Sequence, residues 1–176
     1  MATDKRLFFA LWPDDAVRRE LFHWQTHNLP ADVRWQHRAD LHMTLHFLGA
    51  VEDSRLEGLI GLGGRVASGG FSIVLDDIGH WPGPQVLWAA PTSPPGELLA
   101  LHGRLADGLS ALGFEPEQRR YRPHVTLARK VRRQPDTRPL FPLTWSVREL
   151  ALVQTRPGDV PHYHPLARWA LDSEPC

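Results

Sequence analysis

At 176 residues, 42% of them hydrophobic, the chain is long enough to bury a core without staples, and residues 1–176 are read as a single domain or two small lobes sharing one interior. Its formal net charge of zero argues, on average, against a nucleic-acid partner, and a single cysteine, Cys176, excludes an intrachain disulfide and a cysteine-based zinc site. No signal peptide or membrane span is visible, because the apolar "RLFFALW" is short and runs into the charged "DDAVRRE", so a soluble cytoplasmic protein with no membrane partner is expected.

Taken along the chain, Arg6 to Trp12 reads as a strand, followed by a helix that Asp14 or Asp15 caps and whose apolar positions Val17, Leu21 and Trp24 recur at helical spacing. Val33 to Gln36 is a short extended piece, and Leu41 to Leu48 is a strand. Asp53 or Ser54 opens a second helix through Leu56, Leu59, Ile60 and Val66, weakened by Gly58, Gly61, Gly63 and Gly64. Phe71 to Ile78 and Val86 to Ala90 read as strands joined through "HWPGPQ". A third helix carries Leu98, His102, Leu105, Leu109 and Leu112 on one stripe, with Gly113 placed to end it. A strand within Tyr121 to Lys130, a Pro- and Arg-rich loop, a long strand from Thr144 to Thr155 and a last strand from about Tyr163 to Leu171 complete the chain. Strands and helices mix without regular βαβ alternation, which is an α+β order.

Two of these strands share a pattern. In "DLHMTLHFLGAV", Leu41, Met43, Leu45 and Phe47 fall on one face by parity and His42, Thr44 and His46 on the other. Alone, that is what any half-buried strand shows. The second, "YRPHVTLARK", repeats the HxTx motif, with His124 and Thr126 on one parity and Val125 and Leu127 on the other. Each motif is preceded by an apolar strand ending Leu-Trp, a Pro-bearing turn and a helix. The chain therefore reads as an internal duplication: a bilobal fold of two mostly antiparallel sheets facing across a central cleft, with helices on the outer faces and a pseudo-two-fold axis relating the lobes. The polar faces would then bring two imidazoles and two hydroxyls together.

The zero mean charge conceals an asymmetry, because seven of the twenty Lys and Arg lie between Arg119 and Arg133, with no acidic residue among them. Such a stretch is often a solvated edge, but around His124 it points to a phosphate-bearing ligand. Two facing histidines are equipment for general acid and base catalysis near neutral pH, and threonine hydroxyls suit phosphoryl oxygens. No Ser-His-Asp or Cys-His arrangement, phosphate-binding glycine loop or paired Asp motif is present. A reaction needing neither metal nor cofactor is expected, with a strained cyclic phosphodiester as the best-suited substrate and a bell-shaped pH dependence around neutrality. "HYH", His162 to His164, has the spacing of a metal pair but no third ligand nearby. Phe8, Trp35 and Tyr163 are candidates for stacking on a nucleobase, against ordinary packing, which is at least as common.

These segments resemble the 2H phosphoesterases, specifically the RNA 2′,3′-cyclic phosphodiesterase family, also called 2′-5′ RNA ligases. The resemblance is carried by "FFALWP", "VRWQHRADLHMTLHFLG", "IGHWPGPQVLWAAP", "LGFEPEQRRYRPHVTLARK" and "LALVQTRPGDVPHYHPLARWAL", nearly the whole chain. It implies hydrolysis of a terminal RNA 2′,3′-cyclic phosphate to a 2′-phosphomonoester without a metal. His42 becomes the proton donor, His124 the proton acceptor, and Thr44 and Thr126 the phosphate-holding groups. Arg129 matches a family Leu-Ala-Arg and would stabilise phosphoryl charge, although strict parity puts it on the Val125 face, so it lies past the regular strand or serves elsewhere. Thr155 stands where the family usually has Ser. His46 either tunes its neighbour or faces water. The partner is an RNA or oligonucleotide ending in the cyclic phosphate, and no obligate protein partner is evident. The alternatives are a 2′-5′ RNA ligase acting on tRNA half-molecules in the same site, a phosphodiesterase for another nucleotide cyclic phosphate, and a non-enzymatic RNA-binding module.

Overall fold

The computed structural model describes residues 4–137 and 142–172; Cys176 and part of the Pro- and Arg-rich loop lie outside them. The elements are β1 (Asp4–Leu11), α1 (Asp15–Asn28), β2 (Arg34–Trp35), β3 (Met43–Glu52), α2 (Leu56–Val66), β4 (Phe71–Leu75), β5 (Asp77–Trp81), β6 (Val86–Ala90), α3 (Gly96–Ala111), β7 (Val125–Arg129), β8 (Leu143–Val147), β9 (Glu149–Thr155) and β10 (Tyr163–Ala170). An α+β class with two antiparallel sheets is as expected. One sheet has eight strands in the order β10-β9-β1-β3-β7-β6-β5, with β2 paired to β7, and the other is the pair β4-β8.

The division between the sheets differs from the expected pair of facing lobes. The two motif strands lie side by side in one sheet, and β3 and β7 meet at a single residue pair, Met43 with Val125. The two long strands expected at Phe71 to Ile78 and Thr144 to Thr155 are each broken. Asp76 separates β4 from β5, and Arg148 separates β8 from β9, so that both segments leave the small sheet for the large one. The first corner is held by Asp76, whose carboxylate accepts hydrogen bonds from Thr92 N–H (2.8 Å) and Thr92 Oγ1–H (2.7 Å).

Strand alternation sets the layers. Leu7, Phe9 and Leu11 of β1 enter a large core with Leu21 of α1, Leu59 and Leu62 of α2, Leu101 and Leu105 of α3, and Ile73 and Trp145 of the small sheet. Phe8 and Ala10 point the other way and pack with Ala151 and Val153 of β9. Helix α1 begins as expected, with Asp14 Oδ1 accepting from Val17 N–H at 2.9 Å. Two of the helix glycines, Gly63 and Gly108, mark close approaches. A Cβ on Gly108 would lie 2.1 Å from Leu62 Cδ1, and one on Gly63 would lie 2.4 Å from the Trp169 ring.

Candidate active site

The site sits on the sheet face away from the helices, over the seam between β3 and β7. The antiparallel pairing of Met43 with Val125 makes a local two-fold axis between the motif strands. Each partner immediately follows its motif's histidine. Continuing this register sets His42 against Thr126 and Thr44 against His124, the reach of directly opposed side chains being about 5 Å. One backbone pair thus brings both motifs onto one surface. The cleft above it, about 530 Å³, is lined by His42, Thr44, His124, Thr126, Arg129 and Thr155.

Beyond the threonines, both strands carry a β-bulge at the same motif position. Against β1, Ala10 pairs with Thr44 and Phe9 with His46, leaving Leu45 extra. Against β6, Trp88 pairs with Thr126 and Leu87 with Ala128, leaving Leu127 extra. An extra residue reverses the facing of everything after it. Arg129 therefore shares the cleft face with Thr126, despite its parity, and lines the cavity. In β3 the same reversal corrects two sequence-based facings. Phe47, expected in the core, stands in the cleft 72% exposed. His46, expected beside His42, is opposite Phe9 and only 5% exposed, its Nε2–H donating to the His102 carbonyl (2.9 Å) and its ring stacked on that of His102 at 4.1 Å. Phe47 and Arg129, each three residues past its threonine, occupy equivalent places in the two halves.

Both histidines precede the regular strand and are held alike. His42 Nδ1 lies 2.6 Å from the carbonyl oxygen of Asp40, and His124 Nδ1 2.9 Å from that of Arg122, each two residues upstream. A carbonyl only accepts, so Nδ1 carries the hydrogen and Nε2 is the basic nitrogen of each neutral ring. His42 Nε2 then accepts from Thr44 Oγ1–H at 2.9 Å. Burial pushes the pKa of His42 down to about 4, against the carbonyl hydrogen bond that raises it, and the charges of Arg129 and Arg18 push the same way as burial. His124 is lowered too, first by burial and then by Arg129. Both rings therefore favour the neutral form at pH 7. A phosphate anion between them favours the imidazolium form.

Other expected residues take several roles. Phe8, 2% exposed, packs its ring 4.9 Å from His42, and Tyr163 meets the same imidazole edge-on at 4.9 Å. Both thus act as walls for His42. Trp35 lies off the cleft in an adjoining groove, with Nε1–H donating to the Pro30 carbonyl. His162 and His164 form no metal pair with a third ligand, since among the described residues no three His, Cys, Asp or Glu side chains converge.

Sequence reasoning missed four supporting residues. Asp40 is fully buried and accepts from the backbone N–H groups of His162 (3.0 Å) and Tyr163 (3.1 Å), fixing Tyr163 against His42. Trp12 stacks on His42 at 5.9 Å, and Trp81 meets His124 edge-on at 4.6 Å. Tyr121 O–H donates to the Thr44 carbonyl (2.8 Å), tying the approach to the second motif to the first. The Trp-Pro dipeptides at Trp12 and Trp81 were the one signal for these walls. Asp40 offered none beyond adjacency to the motif.

The model of a family described as the 2′-5′ RNA ligase superfamily matches residues 13–159. The chain is 33% identical over 174 residues to the RNA 2′,3′-cyclic phosphodiesterase of Escherichia coli (strain K12), covering 97% of this chain and 99% of that protein. It is 34% identical over 190 residues to the RNA 2′,3′-cyclic phosphodiesterase of Thermus thermophilus, covering 96% and 91% respectively. Among solved structures, E. coli LigT complexed with 3′-AMP superimposes with a TM-score of 0.88 at 32% identity, over 96% of this chain and 98% of that one.

Proposed function

The chain belongs to the 2′-5′ RNA ligase superfamily, and from that premise we propose that it hydrolyses a terminal RNA 2′,3′-cyclic phosphate to a 2′-phosphomonoester in the cleft over the β3–β7 seam. The observation that carries this reading is the matched pair of histidines, each with Nδ1 engaged on its own backbone so that Nε2 is left for chemistry. His124 Nε2 takes a proton from water as the water oxygen bonds to phosphorus. The bond from phosphorus to the 3′ oxygen breaks, and His42, protonated on Nε2 in the complex, gives that proton to the departing oxygen. Water thereby supplies one proton to His124 and its oxygen to the product. Thr44 and Thr126 donate to the non-bridging oxygens once Thr44 turns from His42, and Arg129 stabilises the charge that builds there.

The reading is tested with a short oligonucleotide ending in a 2′,3′-cyclic phosphate, incubated with protein in excess chelator. A 2′-phosphate end is the expected product. A loss of turnover on chelation that a divalent ion restores would count against the two-histidine mechanism. We place the reaction in the cytoplasm. In keeping with a soluble enzyme, no helix among the described residues is long and apolar enough to cross a membrane.

A further inference from the structure

The cleft has two open ends. At one, past Arg129, Thr155 and Tyr163, it runs into the groove containing Arg34, Trp35 and Arg38. At the other, it continues into a cavity of about 660 Å³ that shares Thr44, Phe47, Trp81, Pro84 and His124 with the cleft and adds Arg119, Arg120 and Arg122. A terminal cyclic phosphate needs only the space between the histidines, so neither groove is explained by the reacting group.

We propose that the second cavity is a subsite for the RNA strand itself, holding the nucleotide 5′ to the one that bears the cyclic phosphate. Its phosphodiester lies against Arg119 and Arg120, with the exposed Phe47 ring as the apolar wall for its base. This assignment rests on the cyclic-phosphate reading of the cleft. Two observations favour this end over the other. It shares a threonine and a histidine of the reacting set, whereas the opposite groove shares neither motif's His or Thr. Both ends are positive, with Arg34, Arg38 and Arg129 at the opposite end and, at this one, three arginines against Glu117, whose carboxylate is 3.6 Å from Arg119 Nε on an open surface. At the other end, the Arg38 guanidinium is spread over the Phe22 ring at 5.7 Å. A cationic track beside an exposed aromatic is the composition with which proteins hold single-stranded nucleic acid.

The experiment compares a nucleoside 2′,3′-cyclic phosphate with a tetranucleotide ending in the same group. Wild type is set beside the Arg119→Ala/Arg120→Ala and Arg34→Ala/Arg38→Ala double variants. Wild type should prefer the tetranucleotide by about tenfold or more in kcat/KM, the equivalent of about 1.4 kcal/mol. Arg119→Ala/Arg120→Ala should lose that preference through KM while its mononucleotide kcat/KM stays within about twofold, and the salt dependence should become shallower, by about 0.7 in log–log slope for each phosphate that is no longer neutralised. The proposal is overturned if wild type shows no preference, if the preference survives in this variant, or if it disappears in Arg34→Ala/Arg38→Ala instead. Should wild type turn over neither substrate, the functional reading fails. The subsite is then judged by fluorescence anisotropy with a labelled 3′-phosphorylated tetranucleotide: weaker binding in Arg119→Ala/Arg120→Ala supports it, and unchanged binding rejects it.

Discussion

His42 and His124 hold the same hydrogen-bonding posture but sit in unequal surroundings, and their titration follows from both facts. Burial holds His42 at about 4 and draws His124 below its ordinary value, so both ionisations of the free enzyme fall below about 6.5. The species with one ring protonated and one free is most populated between those two ionisations. kcat/KM, which reports the free enzyme, should therefore climb as the pH drops from 7, peak on the acid side of 6.5, and fall again once both rings are protonated. The bell expected around neutrality is displaced because aromatic walls exclude water from His42. kcat should peak at higher pH, since the bound anion favours the imidazolium. His42→Ala and His124→Ala should each lower the rate by roughly 10²- to 10⁴-fold and leave a profile with one limb. Profiles of the three proteins from pH 4 to 9 check this, and a wild-type maximum in kcat/KM above 7.5 would contradict it.

At the level of elements, the alternation of the two motif strands was legible from sequence only as far as each threonine. The bulges at Leu45 and Leu127 were not legible, because a leucine after threonine suits both a regular strand and an extra residue. Arg129 at an apolar parity was the one discord that pointed to a break, whereas His46 and Phe47 fitted the unbroken pattern and misled. The bulge in β7 turns Arg129, alone among Arg129, Arg132 and Arg133, to the lining of the cleft. Arg129→Ala should reduce kcat/KM more than Arg132→Ala or Arg133→Ala, and equal losses in steady-state assays would reduce the segment to a diffuse field. Helix glycines show the same limit of local reasoning. By propensity, Gly108→Ala should stabilise α3 by about 1 kcal/mol. A methyl there collides with Leu62, which is 2% exposed and would have to shift within the packed core. The variant should instead lose about 1 to 3 kcal/mol, read as a lower urea midpoint at unchanged slope.

For the molecule as a whole, the two motifs were legible as repeated words, but the seam was not, since nothing in "HMTL" or "HVTL" says whether two such strands face or adjoin. The buried imidazoles also make global stability depend on pH. His42 and His102 are held at about 4 and His46 and His124 are lowered, each first by burial. Unfolded, each titrates near 6.5, so between about 6.5 and 4 the unfolded chain binds more protons and stability declines as the pH falls. The His42 share, fully developed below pH 4, is about 3 kcal/mol at most. Urea unfolding should give a lower midpoint at pH 5 than at pH 7, with a smaller difference in His42→Ala; a wild-type midpoint constant over that interval would refute the linkage. The two-fold axis through Met43 and Val125 has a stereochemical consequence. A cyclic phosphate joins two ester oxygens, and a perfectly symmetric pair of half-sites would admit it either way round, opening the ring at either oxygen to give two isomeric monophosphates. Beside the reacting phosphorus, and apart from their aromatic walls, the halves differ where the bulges deliver an arginine to one side and a phenylalanine to the other. That inequality selects the orientation, and with it the bond that breaks. Phe47→Arg puts an arginine at the bulge position on both sides, and chromatographic separation of its products should show both isomers. A single isomer, as from wild type, would assign the regiochemistry to another residue.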